Sequence, residues 1–380
     1  MSDPAYPAAR AVAAQARLHF SRHQQMAREQ GRTDLADEPD AATIEAIINA
    51  AFWASLRREE GRTPKISLAY VSPERAGQPL TFEFWLPLSP AGLARLAPAV
   101  ERPGIHLGVW PNAAGELAVW GTTRRLPPLT FVLEVVASGL LVIKHRSESF
   151  GKFVNVAVLE GDEVKIVDTG GAFVPECPGL VSSLLGVEPS REAAADKVNV
   201  LVLLAASMRA HGRGGALLVV PMANQTWSDS IVTPVLYAVA PHFGELAAIV
   251  ERESSVGASH EWQEDLRRAV DALGGLTAVD GATVITEQYE LCAFGAKIVR
   301  RRGSQAVERV LVSEPVEGSA RAIVNPYQLG GTRHFSAAQF VHDQRDAAAL
   351  VASQDGRFTV FTWSKREDIV RAHRVEALLL

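Results

Sequence analysis

Three short clusters in the second half of the chain carry residue types that can do chemistry at a phosphate. Asp280-Gly281-Ala282 precedes a β-prone run at 283–286. A carboxylate there can hold a divalent cation or accept a hydroxyl proton, and a glycine beside it lets a ligand approach the backbone. Gly330-Gly331-Thr332-Arg333-His334 opens a helical run predicted over 336–344. Glycines ahead of a helix N-terminus leave backbone N–H groups for a phosphate, and the Thr, Arg and His side chains add donors. Ser353-Gln354-Asp355-Gly356 lies between β-prone runs at 348–352 and 358–363. Read singly, each has a plainer account: Asp-Gly is a common turn, threonine caps helices, and Ser-Gln-Asp-Gly suits a hairpin.

The elements that must position these clusters follow from hydrophobic periodicity. Helical spacing predicts helices over 8–30 and 41–59, the second capped by Asp40 and striped by Ile44, Ile47, Ile48 and Phe52. Short β-prone runs follow at 66–71, 80–86, 106–110, 117–120, 131–136, 140–144, 153–160 and 163–167, with Glu160-Gly161-Asp162 as a hairpin turn. Trp85, Trp110 and Trp120 fall on or beside these runs and read as core or sheet-face residues. Pro/Gly-rich sequence at 170–179 and 187–190 marks a boundary. Beyond it the spacing predicts a helix over 191–211, a buried strand at 216–220, a helical segment around 231–243 and a helix over 261–273. Strands at 283–286 and 291–298, a polar insert at 299–325, the helix at 336–344 and two closing strands complete the chain. The expected fold class is α/β, or α+β overall: an N-terminal α+β domain, 1–189, precedes a mixed β-sheet flanked by helices, 190–380. No sequence repeat is apparent.

Composition narrows the partners. The chain has 380 residues, enough for two ordinary domains, with 47% hydrophobic and 21% charged residues. Its formal net charge of −5 gives no global basic field, so a nucleic-acid partner is not expected. Cys177 and Cys292 lie far apart without neighbouring ligands, which indicates neither a disulfide framework nor a zinc cluster and suits a reducing cytoplasm. Apolar runs are too short to cross a bilayer, and no signal peptide is visible, so a cytoplasmic protein without membrane contact is expected. No P-loop and no Gly-x-Ser-x-Gly elbow is present.

Taken in order, the clusters resemble the catalytic domain of the diadenylate cyclase family, which makes cyclic di-AMP from two ATP. The family's strand motif Gly-Ala-Leu-Ile-Val is matched by Gly215-Ala216-Leu217-Leu218-Val219, its Asp-Gly-Ala by Asp280-Gly281-Ala282, and its Gly-Thr-Arg-His by Gly331-Thr332-Arg333-His334. A Ser-Glu-Glu-x-Gly pattern is matched more loosely by Ser353-Gln354-Asp355-Gly356. The resemblance covers residues 193–363. It implies that Asp280 binds Mg²⁺ or Mn²⁺ and helps activate the 3′-hydroxyl, and that Arg333 and His334 act in catalysis. It also implies that Gly281, Ala282, Gly331, Thr332, Arg333, Ser353 and Asp355 line the nucleotide. Two subunits face each other in the family, each holding one ATP, so self-association is implied as well.

Departures accompany the match. Phe335 stands where the family has a second arginine, Gln354-Asp355 replace two glutamates, and Val279 occupies a place where histidine is common. The insert at 299–325 is longer than its counterpart and, with its flank, carries Lys297, Arg300, Arg301 and Arg302, which read as compensating cations or as a solvated hairpin. Phe335 and Gln354 motivate an alternative function, a cyclase-like module that binds a nucleotide without turning it over. The N-terminal half matches no catalytic family, and the resemblance implies a regulatory sensor of an unknown ligand. His145, Arg146 and Ser147, with Lys152 nearby, form a polar cluster that reads as an anion site or as an exposed loop.

Overall fold

Small and branched apolar residues at helical spacing build the first helices, α1 (Pro7–Glu29) and α2 (Ala41–Ser55). The Asp40 carboxylate caps α2 by accepting from the Thr43 amide at 2.7 Å. The structure, a computed structural model, describes residues 5–59, 61–146, 153–168, 200–223, 225–256 and 260–380. It divides into two units, Met1–Asp168 and Thr169–Leu379. The sequence boundary expected at 189/190, Cys177, Ser147 and Lys152 lie outside the described residues.

The first unit holds an eight-stranded mixed sheet in the order β2-β4-β3-β1-β5-β6-β7-β8. Its strands are β1 (Ile66–Tyr70), β2 (Leu80–Pro87), β3 (His106–Pro111), β4 (Leu117–Thr123), β5 (Phe131–Ala137), β6 (Leu140–Arg146), β7 (Phe153–Glu160) and β8 (Glu163–Ile166). Only β1 and β3 run parallel. The strand expectations hold here, as does the Gly161 turn between β7 and β8. A helix absent from the sequence reading, α3 (Pro90–Val100), starts at Ser89, whose hydroxyl accepts from the Gly92 amide. Its prolines masked it. Phe20, Ile44, Ile47, Ile48 and Leu93 of the helices pack on Leu68, Leu107, Leu133, Leu141 and Ile143 of one sheet face. Strand alternation sends Ala69, Val71 and Val132 to the other face, where they surround Trp120. Its fully buried indole donates to the Val71 carbonyl at 2.8 Å.

The second unit holds a nine-stranded mixed sheet in the order β10-β12-β11-β9-β15-β16-β17-β13-β14. Its strands are β9 (Gly215–Val220), β10 (Tyr237–Phe243), β11 (Ala282–Thr286), β12 (Leu291–Ala296), β13 (Val310–Ser313), β14 (Ala322–Val324), β15 (Ala348–Ala352), β16 (Phe358–Ser364) and β17 (Ile369–Arg374). Helices α4 (Val200–Ala210), α5 (Glu245–Val256) and α6 (His260–Leu276) pack among themselves, with α4 also touching β15. Helix α7 (Thr332–Asp343) packs on the face carrying Ala216, Leu218 and Val220 through Ala337, Ala338, Phe340 and Val341. The chain is thus mixed α+β, with two mixed sheets flanked by helices.

Four expectations are corrected in this unit. The predicted helix at 231–243 is instead an irregular stretch leading into β10, because Pro234 and Pro241 lack the amide a helix needs. The strand at 358–363 does not close the chain, since β17 follows it and buries Arg371 and His373. Those polar residues broke the apolar signal. The polar insert contains the antiparallel pair β13–β14, joined in parallel to β17. Finally, α7 begins at Thr332, so the Thr-Arg-His cluster forms its first turn.

The two sheets share one topology. From one edge, the second, fourth, third and first strands of each series come in that order, and the three antiparallel strands that follow are β5-β6-β7 in one and, once the inserted β13–β14 pair is passed over, β15-β16-β17 in the other. Parallel and antiparallel pairings also agree, with β1–β3 and β9–β11 the parallel pairs among these seven. A structural repeat is therefore present where the sequence showed none.

Candidate functional site

Register brings the three clusters of the second unit to one edge of its sheet. Ala282 pairs with Ala216, Ala352 with Gly215, and Ala296 with Ala282. Gly214, Asp280-Gly281, Lys297 and Ser353-Gln354 therefore leave the sheet side by side. Gly281 has φ +120°, and a Cβ there would meet the Gly295 backbone at 2.4 Å, so the turn presenting Asp280 admits glycine alone. Gly214 has φ +69°, and its missing Cβ lies 3.0 Å from Arg333 Nη1. That guanidinium reaches from the first turn of α7 across the start of β9. Gln354 Nε2 donates to the Arg213 carbonyl at 3.3 Å and closes the same edge.

Asp280 is exposed, and its carboxylate accepts from Lys297 Nζ at 2.5 Å. The Lys297 hydrogen bond and charge, with Arg333 adding to them, hold its carboxyl below the usual range, so it is ionised at neutral pH. Thr332 and Gly331 are exposed at the start of α7, which has no side-chain N-cap. His334 points inward: it is buried, its ring meets Phe361 edge-on at 6.1 Å, and burial lowers its pKa. Its Nε2 has no hydrogen-bond partner among the described residues. Ala282 is buried within β11. Ser353 and Asp355 form the turn between β15 and β16, where the serine hydroxyl and then Arg357 hold the Asp355 carboxyl below its usual range. The structure therefore groups Asp280, Gly281, Arg333 and the Ser353–Gln354 turn, and sets His334 beneath them.

Sequence reasoning had placed Lys297 among inserted cations; it is the partner of Asp280. The stacked pair Tyr237–Phe294, with ring centroids 4.7 Å apart and planes 6° apart, was missed. It flanks Gly295, whose missing Cβ would lie 2.8 Å from the Tyr237 ring, and Gly295 in turn touches Gly281. An exposed aromatic beside a glycine turn can stack on a base. Phe335 stacks on Tyr327 at 4.4 Å rather than facing the phosphate cluster. A cavity of about 290 Å³ lined by Pro221, Trp227, Arg301, Asp343 and Arg345 lies at the opposite sheet edge and includes none of these residues. Cys292 is buried, which pushes its thiol up to about 11 and leaves it unreactive.

What the site offers chemically is one ionised carboxylate, an ammonium, a guanidinium and a helix start, all at the rim of a sheet. Such a set suits an anion accompanied by a hard cation. Asp280 fits a divalent cation of the magnesium class as a single protein carboxylate, the rest of the shell falling to phosphate and water oxygens.

Residues 33–124 match the family described as "Probable sensor domain DACNV". The N-terminal unit thus carries a sensor domain, and the match spans α2 through β4. No curated protein matches the chain. Among the described residues, no helix is long and apolar enough to cross a membrane.

Proposed function

We propose that the protein is a diadenylate cyclase whose second unit condenses two ATP into cyclic di-AMP under control of the N-terminal sensor domain. The observation that carries this reading is the convergence of Asp280, Lys297, Arg333 and the Ser353–Gln354 turn at one sheet edge. Phosphoryl transfer demands positioning and charge neutralisation more than covalent chemistry from the protein, and this set supplies both. In each half-reaction the 3′-oxygen of one ATP bonds to the α-phosphorus of the other, the bond from that phosphorus to the bridging oxygen breaks, and pyrophosphate leaves. The hydroxyl proton passes to Asp280 or to solvent. Arg333 and the amides at the start of α7 hold phosphate oxygens, and the Tyr237–Phe294 pair receives the base. Asp280 would hold Mg²⁺ or Mn²⁺, which when bound would neutralise charge on the transferring phosphate. Lys297, paired with Asp280, adds a positive charge beside the phosphates. One bound ATP cannot complete the reaction, so two subunits must meet with their sites facing.

Phe335 favours a second reading, nucleotide binding without turnover. In its place against Tyr327 it gives no charge to the phosphates. The two are separated by incubating the full chain with ATP, and separately with each other nucleoside triphosphate, in Mg²⁺ and in Mn²⁺, and resolving products by mass spectrometry. The cyclase reading predicts a metal-dependent cyclic dinucleotide and pyrophosphate. Saturable nucleotide binding with no product in either metal would replace it with the second reading.

A further inference from the structure

Three imidazoles of the N-terminal unit converge although nothing in their sequence positions joins them. His19 and His23 stand one turn apart on α1, so both project from one face. His145 comes from β6. The ring centroids of His19 and His23 are 4.0 Å apart, and those of His145 are 5.3 and 5.2 Å from them. One nitrogen from each ring lies within 4.8 Å of the other two.

The hydrogen bonds around the rings select the atoms. His23 Nδ1 lies 2.9 Å from the His19 carbonyl, and His145 Nδ1 lies 3.4 Å from the Arg146 carbonyl. A carbonyl accepts only, so each Nδ1 carries the proton and each Nε2 keeps its lone pair. A backbone carbonyl on the far nitrogen is the usual support of a metal-bound histidine. His19 Nε2 is buried with no hydrogen-bond partner among the described residues. An unpaired buried polar nitrogen costs free energy unless something meets it. Neutral imidazole is the form that binds metal.

We propose that His19, His23 and His145 form a three-imidazole site for a transition-metal dication of the zinc class. Imidazole donors favour such ions over Mg²⁺, which separates this site from the one at Asp280. Three neutral ligands leave the ion its full charge and a fourth position, which suits water or a small anion. Metal–nitrogen bonds of about 2.0–2.1 Å require the rings to draw together, a movement open to His19 and His23 because both are half-buried on a helix surface. The ion would tie α1 to β6 inside the sensor unit, outside the 33–124 segment that the sensor family covers.

The test uses the full chain stripped with a chelator and needs no turnover. Zn²⁺ is titrated against a chromophoric competitor, and Co²⁺ is added separately to read coordination from its visible spectrum. The expected result is one Zn²⁺ per chain with sub-micromolar affinity and a tetrahedral Co²⁺ spectrum. His23→Gln and His145→Gln should each weaken binding at least about 100-fold, while Asp280→Asn leaves it unchanged. His23 is the more exposed position, so its variant keeps the test decisive if His145→Gln fails to fold, as judged by circular dichroism. Zn²⁺ binding no tighter than about 10 μM, or binding that survives His23→Gln, would overturn the site.

Discussion

In the N-terminal unit seven residues, 124–130, join β4 to β5; in the second unit the equivalent step from β12 to β15 takes residues 297–347. The strands on either side follow one order in both units, so the difference between them is concentrated in this connection. The long version supplies Lys297, the β13–β14 hairpin and α7 with Arg333 in its first turn. The short version supplies none of these, and the sheet face that α7 covers in the second unit carries a polar network in the first. There Ser67 Oγ lies 2.7 Å from His106 Nδ1, and Lys144 pairs with Glu134 at 2.5 Å. One strand order thus carries two different additions, with Lys297 and Arg333 brought to the sheet in one copy and no counterpart of them in the short connection of the other. Function lies in what is grafted on the sheet rather than in the sheet.

Removing a graft should separate the units most sharply. Arg333→Ala takes away the guanidinium that crosses Gly214, and cyclic dinucleotide formation should fall by about 100- to 1,000-fold, measured by product release at saturating ATP. An effect under threefold would show that the long connection does not supply the chemistry. Next in size is the core of the first unit. Trp120→Ala should cost about 3–5 kcal/mol of that unit's stability, read by urea denaturation, while nucleotide affinity of the folded protein stays unchanged. Phe361→Ala, beneath His334, should lower both stability and nucleotide affinity. Loss of nucleotide affinity in Trp120→Ala would break the division of labour.

Acid sharpens the comparison further. Burial lowers His106 of the first unit to about 4 and His373 of the second to about 3. Both folded values lie below the unfolded value of about 6.5. Stability from their neutral forms is therefore complete above that pH and is lost as pH falls, until about 4 for one and 3 for the other. Between pH 6.5 and 5 each should cost about 2 kcal/mol, and His106→Asn should flatten the pH dependence of the first unit alone. The smallest effect belongs to Lys297→Met. The Asp280 carboxyl should titrate closer to an ordinary aspartate in the variant, followed by NMR, because the hydrogen bond and charge that hold it down are gone. An unshifted titration would mean that Lys297 does not govern the carboxylate.

The sequence carried the strands of the first unit, the helix stripes and the order of the three site clusters, because each rests on local periodicity or a short glycine signal. It hid what depends on pairing between distant segments. β13 and β17 pair in parallel across more than fifty residues, and the charged Arg371 and His373 look like surface residues until the strand is buried. The repeat was invisible because topology survives without shared residues: β1 reads Ile-Ser-Leu-Ala-Tyr and β9 reads Gly-Ala-Leu-Leu-Val-Val. At the site, Asp280, Gly281 and Arg333 were legible as types, whereas the Lys297 partnership and the Tyr237–Phe294 stack needed the register of β10, β11 and β12. His19 and His23 had a local signal, their four-residue spacing on a helix. His145 did not, lying more than a hundred residues away on another element.

The most direct measurement is the rate of cyclic dinucleotide formation by the full chain and by Asp280→Asn, side by side, in Mg²⁺ and in Mn²⁺ with ATP. Product from the full chain that falls at least about 100-fold in Asp280→Asn, with circular dichroism unchanged, is the predicted result. Equal rates from the two proteins would contradict the assignment of chemistry to this edge of the second sheet.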